Sequence, residues 1–207
     1  NGSFVVVWQS SVQDGSSAVV GRLVSADGEP QGTEFMVNTY TTSDQIAPRV
    51  TVLPYGDFVV AWQSPLQDAS GNAVIARRYS TDGTALGTEF QVNQSTTSDQ
   101  GQPDLVATSN GGFVIAWHSD HVTIGEYNVY AREYLPDGSP AGTERRVNAM
   151  GANQQFFPNI DAPPGATPLV TWLSNADSAT DYDVIVRRLD TAHRPSGAEI
   201  VASKTRF

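Results

Sequence analysis

Short apolar runs recur along the chain, each followed by a run in which apolar and polar residues alternate. Residues 2 to 10 read GSFVVVWQS, 56 to 64 GDFVVAWQS, 111 to 119 GGFVIAWHS and 166 to 174 ATPLVTWLS. A strand covered on both faces has this almost continuous apolar character. The second run alternates, as VVGRLV, VIARRY, VYAREY and VIVRRL, and predicts a strand further from the centre. Asp-Gly turns follow it at 27–28, 82–83 and 137–138, leading into EFMVN, EFQVN and ERRVN. A Pro-led run, PRVTVL or PDLVATS, precedes each apolar run except the first, and a Gly turn joins the two.

The four tryptophans mark the period. They stand at 8, 62, 117 and 172, and they are all the tryptophans in the chain. Each unit of about 54 residues thus predicts a four-stranded antiparallel meander, and such a small sheet must stack on its neighbours to cover its two faces. The expected fold is all-β: a β-propeller, or an arc of one, with four blades, one lacking a strand. It is a single repeat domain over 1–207, with units near 1–47, 48–102, 103–157 and 158–207. The missing Pro-led strand of the first unit suggests either the remainder of a longer array or a homodimer that completes a larger ring.

Composition narrows the partners. A net charge of −10 removes the attraction that nucleic-acid binding depends on, and no run approaches the length of a membrane span. Cysteine is absent, excluding disulfides and thiolate chemistry.

The pattern GGFVVAW, QDxSGxxV, RYxxDGxxxGxEFxVN, TTSDQxxP resembles tandem repeats of very large secreted or surface proteins of bacteria, often found beside RTX-type calcium-binding segments. More loosely it is similar to PD40 and FG-GAP propeller blades. The resemblance implies an extracellular or cell-surface interaction or adhesion module and brings no catalytic residue. The glycine-rich GGxGxD nonapeptide is absent, so no calcium site is carried over.

In a meander every second connection lies at the same end, so the loops after each Trp strand share a face with the TTSDQ segments. That face collects Asp14, Asp44, Asp68, Asp99, Asp120, Asp177, Asp181 and Asp183. We take Asp14, Asp44, Asp99, Asp120, Tyr127 and Asp181 as candidate ligand-binding residues. Asp68, Ser70 and Asn72 place oxygens at alternate positions, the spacing of a calcium loop, although polar turn residues bonding their own backbone account for the same letters. The pair His118 and His121 flanks Asp120, and strand neighbours three apart do not converge. Arg22, Arg77, Arg132 and Arg187 recur opposite Glu34, Glu89, Glu144 and Glu199, predicting cross-strand pairing. The Gln-x-x-Pro pairs at 45/48, 100/103 and 155/158 predict backbone bonds where one blade enters the next.

No catalytic set stands out. The favoured expectation is a noncatalytic module, not an enzyme, binding a protein or glycan through the Asp-rich face. Two alternatives accompany it. One is a lectin-like propeller using Tyr40, Tyr127, Tyr182 and Phe156; the other is an extracellular hydrolase whose site spans blades.

Overall fold

The computed structural model describes residues 2–11, 16–149, 154–163, 165–175 and 181–203. Blade 1 contains β1 (Phe4–Ser10), β2 (Ala18–Val24) and β3 (Pro30–Met36). Blade 2 contains β4 (Ile46–Val52), β5 (Phe58–Pro65), β6 (Asn72–Tyr79) and β7 (Phe90–Gln91). Blade 3 has β8 (Gln100–Ala107), β9 (Phe113–Ser119), β10 (Asn128–Tyr134) and β11 (Arg145–Arg146). Blade 4 has β12 (Gln155–Asp161), β13 (Leu169–Ser174), β14 (Asp183–Leu189) and β15 (Pro195–Ser203). Among the described residues each blade is a separate antiparallel sheet, three-stranded in blade 1 and four-stranded in the others. This is the expected all-β blade array with one blade a strand short.

The Pro-led strands β4, β8 and β12 pack against one another and line the inside of the arc. The strands β7 and β11 are only two residues long, and beyond each outermost strand a buried asparagine continues the ladder by side chain. Asn38, Asn93 and Asn148 accept the backbone N–H of Val19, Val74 and Val129 at 2.7, 2.9 and 2.9 Å.

The core is divided among the joints between blades. Phe58, Val60 and Trp62 of blade 2 pack on Val19 and Val37 of blade 1. Phe113, Ile115 and Trp117 of blade 3 pack on Val59, Ala61, Val74 and Val92 of blade 2. Trp172, Ile185 and Leu189 of blade 4 pack on Val114, Val129 and Val147 of blade 3. The apolar run is continuous because each such strand feeds two joints, one from each face.

Polar clasps close each joint at its rim. Arg77 donates to Val37 O of the preceding blade at 3.3 Å and to Gly87 O of its own at 3.1 Å. Arg132 does the same to Val92 O and Gly142 O, and Arg187 to Val147 O and Gly197 O. Tyr79 and Tyr134 donate their hydroxyls to the same Val37 and Val92 carbonyls, and burial pushes the Tyr79 hydroxyl up to about 12. The glutamates reach back as well: Glu89 accepts from Thr39, Glu144 from Gln94 and Ser95, and Glu199 from Ala149 N. The expected Arg–Glu pairing is therefore replaced by two separate clasps between blades; Arg22 and Glu34 of blade 1 approach each other at 4.0 Å. A buried carbonyl with no ladder partner is a stronger draw for a guanidinium than an exposed carboxylate.

The Gln-x-x-Pro segment forms a β-bulge at the head of each innermost strand. Register slips between Ile46 and Arg49, Gly101 and Asp104, and Phe156 and Asn159. The residue before each proline, Ala47, Gln102 or Phe157, takes a left-handed φ of 52°, 51° or 53°. The glutamine holds the bulge: Gln45 and Gln100 donate to the carbonyls of residues 42–43 and 97–98. Gln45 and Gln155 accept the indole N–H of Trp62 and Trp172 at 3.0 and 2.7 Å.

Candidate functional site

The bulges re-aim side chains at the end of the arc where the long loops gather. The loops are tied together there: Asp120 N donates to Asp99 O, and Ser98 N to Ser70 Oγ. A cleft of about 320 Å³ opens among blades 2, 3 and 4. Blade 2 contributes Gln63 and Asn72; blade 3 contributes Asp99 to Gln102, His118 and Tyr127; blade 4 contributes Gln154, Phe156 and Phe157. Among the described residues its wall contains one carboxylate, no lysine or arginine, and many amides.

Its aromatic side is continuous. His118 lies 4.7 Å from Tyr127 and 5.9 Å from Phe157 between ring centroids, and Phe157 stands edge-on to Phe156 at 5.0 Å. Phe156 in turn meets Tyr182, 39% exposed, at 5.3 Å. The rings are held from behind by one recurrent bond. Gln63 Oε1 accepts the N–H of Gln102, and His118 Nδ1, at the matching position one blade on, accepts that of Phe157 at 3.3 Å. That bond makes Nδ1 an acceptor. Burial lowers the His118 pKa to about 4, against the pull of Asp120, so the ring is neutral near pH 7. A Cβ at Gly101 would stand 2.2 Å from Gln63 Oε1, so a side chain there would displace the Gln63 amide.

The candidate residues separate by role. Asp99 and Tyr127 line the cleft. Asp99 Oδ1 accepts from Asn72 N at 3.0 Å and Asn72 Nδ2 at 2.7 Å. Asp44 and Gln154, at the same position in neighbouring blades, accept from Ser17 N and Tyr127 N. This latch is architectural; in blade 3 it also carries a charge into the cleft. Asp120 is buried behind the cleft, its oxygens accepting from Asp99 N and Gly125 N at 2.8 Å each. Burial would raise its pKa, but those amides prevail and hold it low. Burial and the charges of Asp120 and Asp99 raise the Tyr127 hydroxyl. Asp181 is half-buried and outside the cleft wall, and Asp14 and Asp177 lie outside the described residues.

Asp68, Ser70 and Asn72 bond to different partners. Asp68 Oδ1 accepts from Ser70 N and its Oδ2 from Asn93 Nδ2, Ser70 Oγ accepts from Ser98 N, and Asn72 turns its NH2 to Asp99. The loop engages the oxygens of Asp68 and Ser70 in its own hydrogen bonds. Among the described residues no group of three His, Asp or Glu side chains is placed to hold a metal. The histidines likewise diverge: His121 bonds Ser119 Oγ at 2.7 Å and packs on Tyr130.

The solved structures similar to this chain include an α-L-arabinanase of Penicillium chrysogenum complexed with arabinobiose, with a TM-score of 0.66 at 15% identity over 99% of this chain and 65% of that one. An endo-arabinase of Bacteroides thetaiotaomicron gives 0.56 at 9% identity, over 97% and 77% of the two chains. A thermostable family-43 glycoside hydrolase gives 0.59 at 13% identity, over 100% and 73%. The fold is a β-propeller. No protein-family model and no curated protein matches the sequence. These neighbours correct the expectation of a noncatalytic adhesion module that is not an enzyme, since the structures that share its blades include two arabinan-cleaving enzymes and a family-43 glycoside hydrolase. The sequence pointed the other way because its recurrent positions build blades. The cleft draws on varying ones: Gln102 and Phe157 line it at the bulge position that Ala47 holds in blade 2, and Gln63 and His118 line it at the position after the tryptophan that Leu173 holds in blade 4. That variation at fixed repeat positions was the available signal for Gln63, Gln102, Gln154 and Phe157.

One further carboxylate escaped the sequence. Asp104, on β8, accepts from Ile160 N of blade 4 at 2.8 Å and lies 3.9 Å from Arg49 of blade 2, tying three innermost strands together. Burial raises its pKa, with Ile160 N–H, Leu105 N–H and Arg49 opposing and Asp161 adding to the rise. Below the ordinary carboxylate pKa of about 3.9 both folded and unfolded chains hold this proton, and the carboxyl contributes its full stability. As pH rises through the higher folded value, the unfolded chain has already released the proton and the folded state is disfavoured. Asp104→Asn keeps the acceptor oxygen and removes the proton. Its Tm should therefore fall less than the parent's as pH rises above the ordinary carboxylate value of about 3.9; parallel curves would show that Asp104 contributes nothing to the slope.

Proposed function

We propose that the chain processes neutral carbohydrate in the cleft among blades 2, 3 and 4. The observation that carries this reading is the grouping of Tyr127, Phe156 and Phe157 with Gln63, Asn72, Gln102 and Gln154 around Asp99. Rings present flat apolar faces to the C–H side of a sugar, and amides both donate to and accept from its hydroxyls. The wall lacks a cation among the described residues and His118 is neutral, so acidic sugars have no counter-charge there. Glycoside hydrolysis depends on carboxyl groups beside the scissile bond, and Asp99 is the carboxylate in reach of a ligand in this cleft. The arabinanases and the family-43 enzyme, built on the same scaffold, support the reaction class.

A second reading, recognition without cleavage, is favoured by the single carboxylate in the wall. A neutral-glycan array combined with reducing-end assays on arabinan and xylan separates the two. Binding of pentose oligosaccharides with release of new reducing ends is the expected result. Binding without release selects the lectin-like reading, and neither binding nor release removes carbohydrate altogether.

A further inference from the structure

We propose that a cavity at the joint between blades 3 and 4 is a second binding site, for an oxyanion. It lies at the far end of β10 from the cleft: Glu133, in its wall, is roughly 20 Å along an extended strand from Tyr127. The two earlier joints are plugged near this end by rings. Phe35 of blade 1 packs on Phe58 and Tyr79 of blade 2, at 6.4 and 5.5 Å between ring centroids. Phe90 of blade 2 meets Tyr134 of blade 3 at 5.3 Å, and Tyr134 stacks on Phe113 at 5.0 Å. At the third joint the same three repeat positions hold Arg145, Pro168 and Leu189. The aromatic plug is gone, and a cavity of about 190 Å³ opens beside Arg145.

The rest of the wall differs in concert. In the joint before it, Arg78 of blade 2 donates to Asp137 O in the Asp-Gly turn of blade 3 at 2.7 Å. One joint on, Glu133 takes the place of Arg78, and His193 and Arg194 take the places of Gly138 and Ser139. Glu133 and His193 meet, Oε1 to Nδ1 at 2.8 Å. His193 holds a left-handed φ of 52° where Gly138 has 86°, a conformation that glycine adopts freely and other residues at a cost.

That pair leaves two arginines over. Arg145 stands opposite Ala131 in the ladder, and Ala131 belongs to the core of the joint with blade 4, so Arg145 shares that face. Arg194 enters from the turn of blade 4. Among the described residues neither guanidinium has a hydrogen bond or an ion pair. The nearby carboxylates are engaged elsewhere, Glu133 by His193 and Asp190 by the backbone N–H groups of Ala192 and Arg194. Arg132 also lines the cavity, with Nε and Nη1 committed to Gly142 O and Val92 O. Three arginines thus face one lining carboxylate in a chain whose net charge is −10. Such a local excess of positive charge draws anions, and the planar fork of a guanidinium fits two oxygens of a phosphate, sulfate or carboxylate at once. The cleft among blades 2, 3 and 4 has no such cation in its described wall, so the two sites select ligands of different charge.

Calorimetric titration of the full chain at constant ionic strength tests this, with inorganic phosphate in one arm and trigalacturonate, whose carboxylates are carried on sugar rings, in the other. Saturable binding in at least one arm is expected. Binding of phosphate alone marks a site for the free ion, and tighter binding of trigalacturonate marks a site for acidic glycan. Arg145→Phe restores the ring of Phe35 and Phe90, so it should keep the melting temperature while lowering affinity at least about tenfold, the scale of a lost charge-assisted hydrogen bond. Arg194→Ser, the residue of the blade 3 turn, should weaken binding to a similar degree, with circular dichroism to verify folding of both variants. No binding in either arm, or affinity unchanged in either folded variant, overturns the proposal.

Discussion

Asp99→Asn is expected to leave glycan binding nearly intact and to lower turnover by about 10²–10⁴-fold, the usual contribution of a positioned proton-transfer group. The substitution separates the two duties of this side chain. Its architectural duty is to accept hydrogen bonds from Asn72 N and Nδ2, which an amide oxygen can also do. Blade 4 shows that neutrality is tolerated, because Gln154 occupies the same position and accepts from Tyr127 N with an uncharged oxygen. What asparagine lacks is charge and proton affinity. Initial rates and calorimetric affinities on the same oligosaccharide check this directly. A variant with unchanged rate would take Asp99 out of the chemistry, and a variant that fails to fold would show the charge to be structural.

Trp117→Ala should destabilise the fold by about 3–5 kcal/mol, the range for truncating a buried tryptophan. Trp117 is 1% exposed, packs in the joint between blades 2 and 3, and stacks on Tyr130 at 6.3 Å. It also sits directly before His118, so its loss should loosen the aromatic wall of the cleft as well as the joint. The control is Trp8→Ala, the same letter of the repeat on the half-buried leading face of blade 1. Because Trp8 is only half-buried, its loss should cost less than that of Trp117. Denaturant melts of both variants at low concentration measure the difference, and equal losses would mean that Trp8 is as enclosed as Trp117.

That contrast shows how far the repeat can be read. Four tryptophans in register, apolar runs followed by alternating ones, and Asp-Gly turns sufficed for four blades of antiparallel strands, one blade a strand short. These are local properties, since strand period and turn chemistry depend on neighbouring residues. The recurrent Gln-x-x-Pro was legible as a device at the head of the innermost strand. Its left-handed residue was not, because nothing in the letters Ala47, Gln102 and Phe157 announces a bulge.

The sequence by itself determined the blade, its period, the acidic charge and the absence of cysteine. Only the tertiary structure decided which carboxylates matter. Asp44 and Asp99 are the same letter in the same motif, yet Asp44 is a latch alone and Asp99 is a latch that also faces a cleft. It likewise decided that Arg77 and Glu89 clasp the preceding blade, that Asp68, Ser70 and Asn72 bond to different partners, and that rings from blades 3 and 4 form one wall. The physical reason is common to all of these. A blade is specified by contacts within about 55 residues of chain, whereas the cleft and the clasps are made between blades, and the identity of a neighbour across a joint is not encoded at either residue alone.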